Sequence, residues 1–262
     1  MHLGEQLYLQ TIRTTTLLAY RRRDWREVPI VECGEPLVEV PTDMAFPYYH
    51  QEMHLTDDPR MFVRQRVLEM LQNARERLQG KRYDLRLYDG WRSIEVQENL
   101  FWHYLKQFTA SKFHLEANFA LAERPDQIHA VFEQLPEATQ EALREANRTY
   151  VSWPSADPKH PSPHVTGGAV DVWLYQEGHP VNLGVPFDWM EEDAGAFYHL
   201  KFRNKRFHGK HTAICRNREA LLLAMVRAGF SCYGPEIWHF NAGNQMDALV
   251  QGGRAKYSYV QP

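Results

Sequence analysis

The feature that most constrains the fold is a pair of glycines between a histidine and a strand-like segment in the middle of the chain. Residues 162–171 read Ser-Pro-His-Val-Thr-Gly-Gly-Ala-Val-Asp. Gly167 and Gly168 permit a tight backbone reversal. Residues 169–175 then alternate β-branched and aromatic side chains around Asp171, which is typical of a strand. The turn therefore separates two potential metal ligands, His164 and Asp171.

Each of these two residues also has an ordinary interpretation. A lone carboxylate in an apolar strand is costly unless it is paired or bound to a metal, and Asp171 alone is most simply paired with an Arg or Lys. His164 alone would be a turn or core histidine. Their spacing around the glycines favours a shared metal site.

A second group of candidate residues lies near the end of the chain, at Glu236 and His239. On a regular strand, residues three apart point to opposite faces, so Glu236 is expected in the turn that begins at Gly234-Pro235. The alternative is a buried pair within an aromatic rim. Two His and one Asp can hold a catalytic zinc with one position open for water, and a Glu can serve as its general base. The residues therefore predict a zinc hydrolase.

Arg92 ends the segment Asp89-Gly-Trp-Arg. It could form an ordinary salt bridge with Asp89 or Glu95. In a metallohydrolase, a fixed guanidinium facing the open metal position would stabilise charge on the carbonyl oxygen. Both interpretations stay open at this point.

The composition is that of a soluble globular protein with a substantial core. The 262 residues are 44% hydrophobic and 24% charged, with a net charge of −3 and no large block of one sign. These values argue against a nucleic-acid-binding protein. Three sparse cysteines without a C-x-x-C pair and the lack of a long apolar run predict no disulfide scaffold, no membrane span and a cytoplasmic location. The oligomeric state is left open.

The pattern of turns and apolar periods predicts one α+β domain over residues 1–262. Its parts are an irregular, proline-punctuated N-terminal extension (1–55), a catalytic core (56–243) and a C-terminal tail (244–262). Helices are predicted from Asp58-Pro59 to Gly80, from Ser93 onward, over 125–149 with a break at Pro136, and over 217–227. Strands are predicted over 82–88, 169–175, 230–233 and 237–240. The segment from His208 to His211 has the composition of a surface loop.

Several of these motifs resemble one family. The pattern Ser162-x-His164-x-x-Gly167-x-Ala169-x-Asp171 is similar to the signature of the D-alanyl-D-alanine dipeptidases, the VanX-like branch of the zinc peptidoglycan peptidases. Three further segments resemble that family's D-G-Y-R, F-D-F-M and E-W-W-H motifs, namely Asp89-Gly-Trp-Arg92, Phe187-Asp188-Trp-Met190 and Glu236-Ile-Trp-His239. The resemblance covers about residues 60–240.

The resemblance implies a role for each matching residue. His164, Asp171 and His239 would bind one Zn²⁺ per chain, and Glu236 would be the catalytic base. Arg92 would stabilise the transition state. Asp188 would bind the free ammonium group of a dipeptide, and Ser162 would lie beside the site. The implied fold is a central antiparallel sheet flanked by helices, with the zinc site at the sheet.

Two departures from the family pattern bear on the site. Ser93 replaces the proline that usually follows the arginine, and Ile237 replaces the first Trp of E-W-W-H. The N-terminal region is also longer than in compact members. Tyr48 and Tyr49 are the candidates for the family's carboxylate-binding tyrosine.

The predicted function is zinc-dependent hydrolysis of small dipeptides, D-Ala-D-Ala above all. One alternative is a related zinc D,D-carboxypeptidase or L,D-endopeptidase that acts on peptidoglycan stem peptides. An alternative of a different class is a catalytically silent zinc-binding module. Such a module would be expected to lose Glu236 or Arg92, and the sequence has both.

Overall fold

The computed structural model describes residues 3–80, 82–148, 150–202 and 210–262. Within these ranges the α-helices are α1 (Leu3–Arg22), α2 (Tyr48–Gln51), α3 (Gln65–Gln79), α4 (Ile94–Tyr104), α5 (Ala110–Lys112), α6 (Glu116–Phe119), α7 (Pro125–Phe132), α8 (Glu137–Asn147), α9 (Lys210–Arg227) and α10 (Gln245–Gln251). The strands are β1 (Leu37–Glu39), β2 (Phe62–Arg64), β3 (Asp84–Asp89), β4 (Ala169–Gln176), β5 (His179–Pro180), β6 (Ser231–Cys232) and β7 (His239–Asn241).

The centre of the fold is an antiparallel sheet with the strand order β3-β4-β7-β6, and β5 pairs with β4 as well. All but the last residue of β4 are buried, because helices and loops cover both faces of this strand. The register places Asp171 opposite Asp89 on one side and opposite His239 on the other. The predicted α+β class with a central antiparallel sheet is confirmed.

The register of β3 against β4 shifts between Leu87 and Asp89, and this irregularity ends β3 at the site. Gly90 follows directly. A Cβ atom there would lie 2.6 Å from the Phe62 carbonyl oxygen, which is too close for any side chain. That same carbonyl accepts a hydrogen bond from the Trp91 amide. The chain can therefore turn sharply from Asp89 toward Arg92.

Helix α3 supports the sheet through one apolar face, which buries Val67, Leu71 and Leu78. The prediction that this helix begins at Asp58-Pro59 is wrong. The Asp58 carboxylate accepts the Arg60 amide in a local turn, and residues 62–64 pair with β1. Strand pairing has overridden the helix-start signal of Asp-Pro.

The prediction of an irregular N-terminal extension over 1–55 is also wrong for its first part, because α1 is a 20-residue helix. Its sequence has no proline and is rich in helix formers, so the proline-punctuated pattern begins only at Pro29. Leu9 is fully buried, and the Thr16 hydroxyl contacts the Cys232 sulfur at 3.6 Å. The N-terminal region thus packs on the core. The division into a single domain with these bounds stays a prediction.

The other predicted elements agree with the structure to within a few residues. Ser93 caps α4 by accepting the Val96 amide, Pro136 separates α7 from α8, and the strands predicted over 230–233 and 237–240 form the β6–β7 pair. Helix α9 begins at Lys210, earlier than predicted. It therefore includes residues 210 and 211 of the predicted surface loop. Residues 208 and 209 of that loop lie outside the described residues.

The C-terminal tail contains α10 and then returns along the N-terminal segment. The Val31 amide donates to the Ala255 carbonyl at 2.8 Å, and the Cys33 amide donates to the Lys256 carbonyl at 3.0 Å. The two ends of the chain therefore hold one another against the core. Within the described part of the chain, none of the helices combines the length and apolar character that crossing a bilayer requires.

Candidate active site

Three side chains that can bind a metal converge at the middle of the sheet. Asp171 lies in β4, His239 is directly opposite it in β7, and His164 lies in the short 3-10 turn before β4. Their potential ligand atoms all lie within 4.8 Å of one another. The His239 Nδ1 atom is 3.0 Å from Asp171 Oδ1, and His164 Nε2 is 3.5 Å from Asp171 Oδ2. All three residues are buried.

The glycine pair makes this convergence possible. Gly167 has a φ of +70°, which favours glycine, and a Cβ atom on it would lie 2.5 Å from Leu37 Cδ2. A Cβ atom on Gly168 would lie 2.5 Å from the Ala242 carbonyl oxygen. A side chain on Gly168 would push the turn away from the end of β7, and one on Gly167 would collide with Leu37 in β1. The backbone reversal predicted from the sequence is therefore confirmed.

Hydrogen bonds fix which nitrogen each histidine turns toward Asp171. The Nδ1 atom of His164 lies 2.9 Å from the Gly90 carbonyl and 3.0 Å from Asp89 Oδ2, which leaves Nε2 facing inward. The Nε2 atom of His239 lies 3.2 Å from Asn241 Oδ1, which leaves Nδ1 facing inward. Such outer partners orient histidines that bind metals.

The donor set fits a divalent metal. Two imidazole nitrogens and a carboxylate that converge in a buried place leave lone pairs that need a cation or a proton between them. Burial by itself would raise the pKa of Asp171, but the charges of His164 and His239 outweigh burial and lower it. Three N and O ligands with a fourth position open are the arrangement typical of catalytic zinc.

Arg92 lies beside this cluster and is buried. Its Nη2 atom is 2.6 Å from Asp89 Oδ2 and 3.9 Å from Asp171 Oδ2. Its Nη1 atom donates to Gln97 Oε1 at 2.8 Å, and Nη2 donates to the Tyr49 hydroxyl at 3.3 Å. Arg92 therefore forms the predicted salt bridge with Asp89 and also lies beside the three potential metal ligands.

Asp89 is a residue whose importance the sequence did not reveal. Its carboxylate contacts both Arg92 and His164. One buried group therefore orients His164, a potential metal ligand, and Arg92, which could donate hydrogen bonds to an oxyanion. In the sequence Asp89 stands three residues before Arg92 and resembled only a local partner. The contact with His164 depends on the sheet register, which no local pattern encodes.

Glu236 follows the turn at Gly234-Pro235, as predicted, and its amide donates to the Tyr233 carbonyl at 3.3 Å. Its carboxylate lies 3.8 Å from His239 Nδ1. Burial raises the pKa of Glu236 to about 7; the His239 charge opposes the shift and Asp171 adds to it. Glu236 thus lies beside the three residues that can bind a metal, and it can exchange a proton near neutral pH.

Asp188 faces the same pocket from a loop, with a φ of +58°. The Tyr49 hydroxyl donates to Asp188 Oδ2 at 3.1 Å. Burial raises the pKa of Asp188 to about 7, with the neighbouring carboxylates contributing in the same direction. Among the described residues no Lys or Arg forms an ion pair with this carboxylate, so it is suited to binding a cation from solution.

All the predicted site residues except Ser162 line one pocket of about 130 Å³. Ser162 is buried, and its hydroxyl has no hydrogen-bond partner among the described residues. Its side chain therefore lies behind the pocket wall. Of the two tyrosine candidates, Tyr49 lines the pocket, whereas Tyr48 stacks on Tyr88 with ring centroids 5.6 Å apart.

Sequence reasoning missed the part of the pocket wall that comes from other regions. Trp25 and Arg26 reach it from the N-terminal segment, Tyr104 from α4, and Arg148 and Tyr150 from the region after α8. These residues belong to no shared motif and are distant in sequence. Only the fold brings them to the site.

The chain is similar in sequence to one family of peptidases. Residues 119–258 match the model of the Peptidase M15 family, described as D-Ala-D-Ala dipeptidase. A D-alanyl-D-alanine dipeptidase from a Synechocystis strain is 26% identical over 231 residues, which are 84% of this chain and 86% of that protein.

A solved structure of the vancomycin resistance D,D-pentapeptidase VanY, a mutant in complex with Zn(II), is also similar. It shares 12% identity, covers 88% of this chain and 97% of its own, and has a TM-score of 0.39. That score is too low to support a residue-by-residue correspondence. The family model, in contrast, spans more than half of the chain and includes three of the four motif segments. The chain therefore belongs to the Peptidase M15 family of D-Ala-D-Ala dipeptidases and is a metallopeptidase.

Proposed function

We propose that this metallopeptidase hydrolyses dipeptides with a free ammonium group, D-Ala-D-Ala foremost, at a zinc ion held by His164, Asp171 and His239. The observation that carries the proposal is the position of Asp188. Its carboxylate lines the same small pocket as the three-residue cluster. A pocket of about 130 Å³ suits a substrate with two small side chains.

The metal would supply Lewis acidity, polarising the scissile carbonyl and lowering the pKa of an attacking water to about 7. The protein's part is to hold the three ligands, with His164 and His239 fixed in orientation by their outer hydrogen bonds. Because the cluster is buried in the sheet, its geometry is set before substrate arrives.

Glu236 is proposed as the general base. Its carboxylate would accept a proton from the attacking water and pass it to the amine of the leaving residue. A pKa of about 7 suits both steps, since a group that titrates near the working pH can accept and release a proton. Glu236 lies in a turn beside His239, and its carboxylate oxygen is 3.8 Å from His239 Nδ1. It is therefore close to the three proposed ligands.

Arg92 is proposed to stabilise the oxyanion that develops on the scissile carbonyl. Its guanidinium is already held by Asp89 and Gln97, so it needs no reorganisation during the reaction. The distance of 3.9 Å from Asp171 Oδ2 places its charge at the edge of the metal cluster.

Asp188 is proposed to bind the ammonium group of the substrate. The Tyr49 hydroxyl fixes one carboxylate oxygen, and Tyr104 lies on the same pocket wall. An incoming ammonium group would stabilise the ionised form of Asp188, which burial disfavours. A peptide blocked at its N-terminus offers no such charge.

The test is hydrolysis of D-Ala-D-Ala, L-Ala-L-Ala and N-acetyl-D-Ala-D-Ala, each with zinc and with a chelator. We expect zinc-dependent cleavage of D-Ala-D-Ala and little cleavage of the other two. Equal cleavage of the acetylated compound would show that Asp188 does not bind the ammonium group of the substrate. Activity that survives exhaustive chelation would remove the metal from the mechanism.

A second candidate function is cleavage of longer stem peptides. A neighbouring cleft of about 730 Å³ shares Tyr150, Met190, Tyr233 and Glu236 with the pocket, so space continues beyond the cluster. Hydrolysis of a pentapeptide that ends in D-Ala-D-Ala, at a rate comparable to the dipeptide, would favour this alternative. The cytoplasmic location stays a prediction.

A further inference from the structure

Arg64, the last residue of β2, is buried and uses every hydrogen-bond donor of its guanidinium group. Its Nε atom donates to the Thr166 carbonyl at 2.8 Å. Its Nη1 atom donates to Glu32 Oε1 at 3.2 Å and to the Glu35 carbonyl, and its Nη2 atom donates to Glu32 Oε2 at 3.0 Å and to the Ser258 carbonyl at 3.2 Å. A guanidinium has five N–H donors in a fixed plane, so each of them has its own hydrogen bond here.

Two of the hydrogen bonds of Arg64 hold the turn that carries His164. The side chain donates to the Thr166 carbonyl, and the Arg64 amide donates to the Gly167 carbonyl at 3.0 Å. Arg64 thus holds two consecutive carbonyls, one with its side chain and one with its backbone. Because His164 begins this turn, a shift of these two peptide groups would turn its imidazole away from Asp171.

Glu32 joins Arg64 to the N-terminal segment. Both of its carboxylate oxygens accept from Arg64, and Oε2 also accepts the Ser258 amide at 2.6 Å. The Gly34 amide donates to Oε1 at 2.8 Å. The charge of the buried guanidinium is therefore paired within the protein, and the same carboxylate connects the N-terminal segment to the C-terminal tail.

The C-terminal tail also contacts the turn directly. The Val260 amide donates to the Val165 carbonyl at 3.2 Å. The Tyr257 ring packs against Gly168, where a Cβ atom would lie 2.8 Å from Cδ2 of the ring, and the ring centroid is 4.9 Å from the Arg64 guanidinium carbon. The turn, Arg64 and the tail therefore form one packed unit.

We propose that Arg64 is a positioning residue for the metal. It holds the turn in the orientation that lets His164 bind zinc, and it couples zinc binding to the docking of two end regions, residues 29–35 and 255–260. The proposal rests on the zinc site of the proposed function but not on the identity of the substrate. Because such coupling is reciprocal, docked end regions should strengthen zinc binding, and bound zinc should hold the end regions in place by the same factor.

The first experiment measures zinc affinity, by competition with a chelating dye, in the wild type and in R64K, E32Q and R75K, each below its melting temperature. R64K keeps the charge but offers three donors from one nitrogen, which cannot serve the turn and both end regions together. E32Q removes the charge that pairs with Arg64 and keeps the size of the side chain. Zinc affinity should fall roughly tenfold in R64K and in E32Q.

Arg75 is the matched control for Arg64. Its side chain is 19% exposed and joins Asp84 in β3 to Asp43, with both distances 2.6 Å. Among the described residues its hydrogen bonds go to these two aspartates. R75K should therefore lower the melting temperature, as R64K does, but keep the zinc affinity of the wild type. An equal loss of affinity in R75K would show a general loosening of the fold and would overturn the proposal.

The second experiment needs no variant. Hydrogen exchange of the wild type, followed by mass spectrometry with and without zinc, should slow in peptides that cover the two end regions, where the Val31 and Cys33 amides donate from one region to the other. Peptides of α7, which packs against α4, report the general stabilisation of the fold by a bound metal. We expect the zinc effect to be larger in the end regions than in α7.

Unchanged zinc affinity in both R64K and E32Q, or a zinc effect on exchange that is no larger in the end regions than in α7, would overturn this proposal alone. A wild type that binds no zinc would overturn the proposed function, and this proposal with it. If R64K does not fold, E32Q and the exchange of the wild type still decide.

Discussion

The inner part of the pocket and its rim are built in different ways. The inner part consists of residues on or next to the sheet, such as Asp171 and His239, which are buried and joined by hydrogen bonds. The rim consists of residues such as Arg26 and Arg148, which come from the N-terminal segment and the end of α8 and are largely exposed. The difference suggests that the sheet fixes the reaction, whereas the rim selects the substrate.

This division has a physical basis. Groups that act on the transition state need fixed positions, which buried strands supply. Groups that recognise the ends of a substrate must let it enter and leave, which exposed side chains allow. If the division holds, substitutions beside the three metal-ligand residues change kcat or metal affinity, and substitutions of residues that bind the ends of the substrate, Asp188 included, change KM.

The largest effect is expected for Glu236→Gln. The amide keeps the shape of the side chain but cannot accept the proton of the attacking water, so kcat should fall by roughly 10³-fold. Zinc content, measured by metal analysis, should stay at that of the wild type, since Glu236 is not among the three proposed ligands. A fully active variant would show that Glu236 is not the base. A variant that no longer binds zinc would show that Glu236 is a metal ligand.

Asp89→Asn tests whether the buried partner of His164 also serves the metal. The asparagine can still accept one hydrogen bond but loses the charge that holds both His164 and Arg92. We expect zinc affinity to fall roughly 10- to 100-fold, measured by competition with a chelating dye, together with a lower kcat in the zinc-saturated enzyme. Unchanged zinc affinity would limit Asp89 to holding Arg92.

Asp188→Asn combines a loss of binding with a gain of stability. Without the carboxylate, KM for D-Ala-D-Ala should rise roughly tenfold, because a charged hydrogen bond is lost. Burial raises the pKa of Asp188 from 3.8 to about 7, so the folded state binds the proton more tightly than the unfolded state. Ionisation of this group therefore costs the wild type stability as pH rises from about 4 to 7.

The variant should accordingly melt at a higher temperature than the wild type at pH 8, and the gap should shrink toward pH 4. In the wild type, kcat/KM should also fall as pH drops below 7, because a protonated Asp188 cannot bind ammonium. Thermal unfolding at both pH values checks the first expectation. A variant that is equally stable at pH 8 would show that Asp188 is not under electrostatic strain.

Much of the inner part of the pocket was predictable from the sequence because its signals are local. The Gly167-Gly168 reversal, the strand that carries Asp171 and the turn before Glu236 each depend on a few neighbouring residues. The register that sets His239 opposite Asp171, and that brings Asp89 to His164, depends on strands far apart in the sequence. Local patterns carry no information about such pairings.

The rim was not predictable, and α1 shows why. A surface helix is normally recognised by a regular apolar stripe. In α1, Leu9 is fully buried, but Leu7, Leu17 and Leu18 are 64%, 37% and 42% exposed. The apolar residues thus do not mark a single face. Because no local pattern in the sequence indicated α1, none indicated that the segment after it, which carries Arg26, reaches the pocket.

The smallest expected effect belongs to Trp25→Ala, which tests the rim alone. The guanidinium carbon of Arg26 lies 4.3 Å from the centroid of the Trp25 ring, and a contact of this kind at a partly exposed site contributes about 0.5–1 kcal/mol. KM for D-Ala-D-Ala should therefore rise about threefold, with kcat and zinc affinity unchanged. In the R26Q background the same substitution should have no further effect on KM, because the group that Trp25 supports is gone. A fall in kcat or in zinc content would instead show that the rim and the inner part of the pocket act as one structural unit.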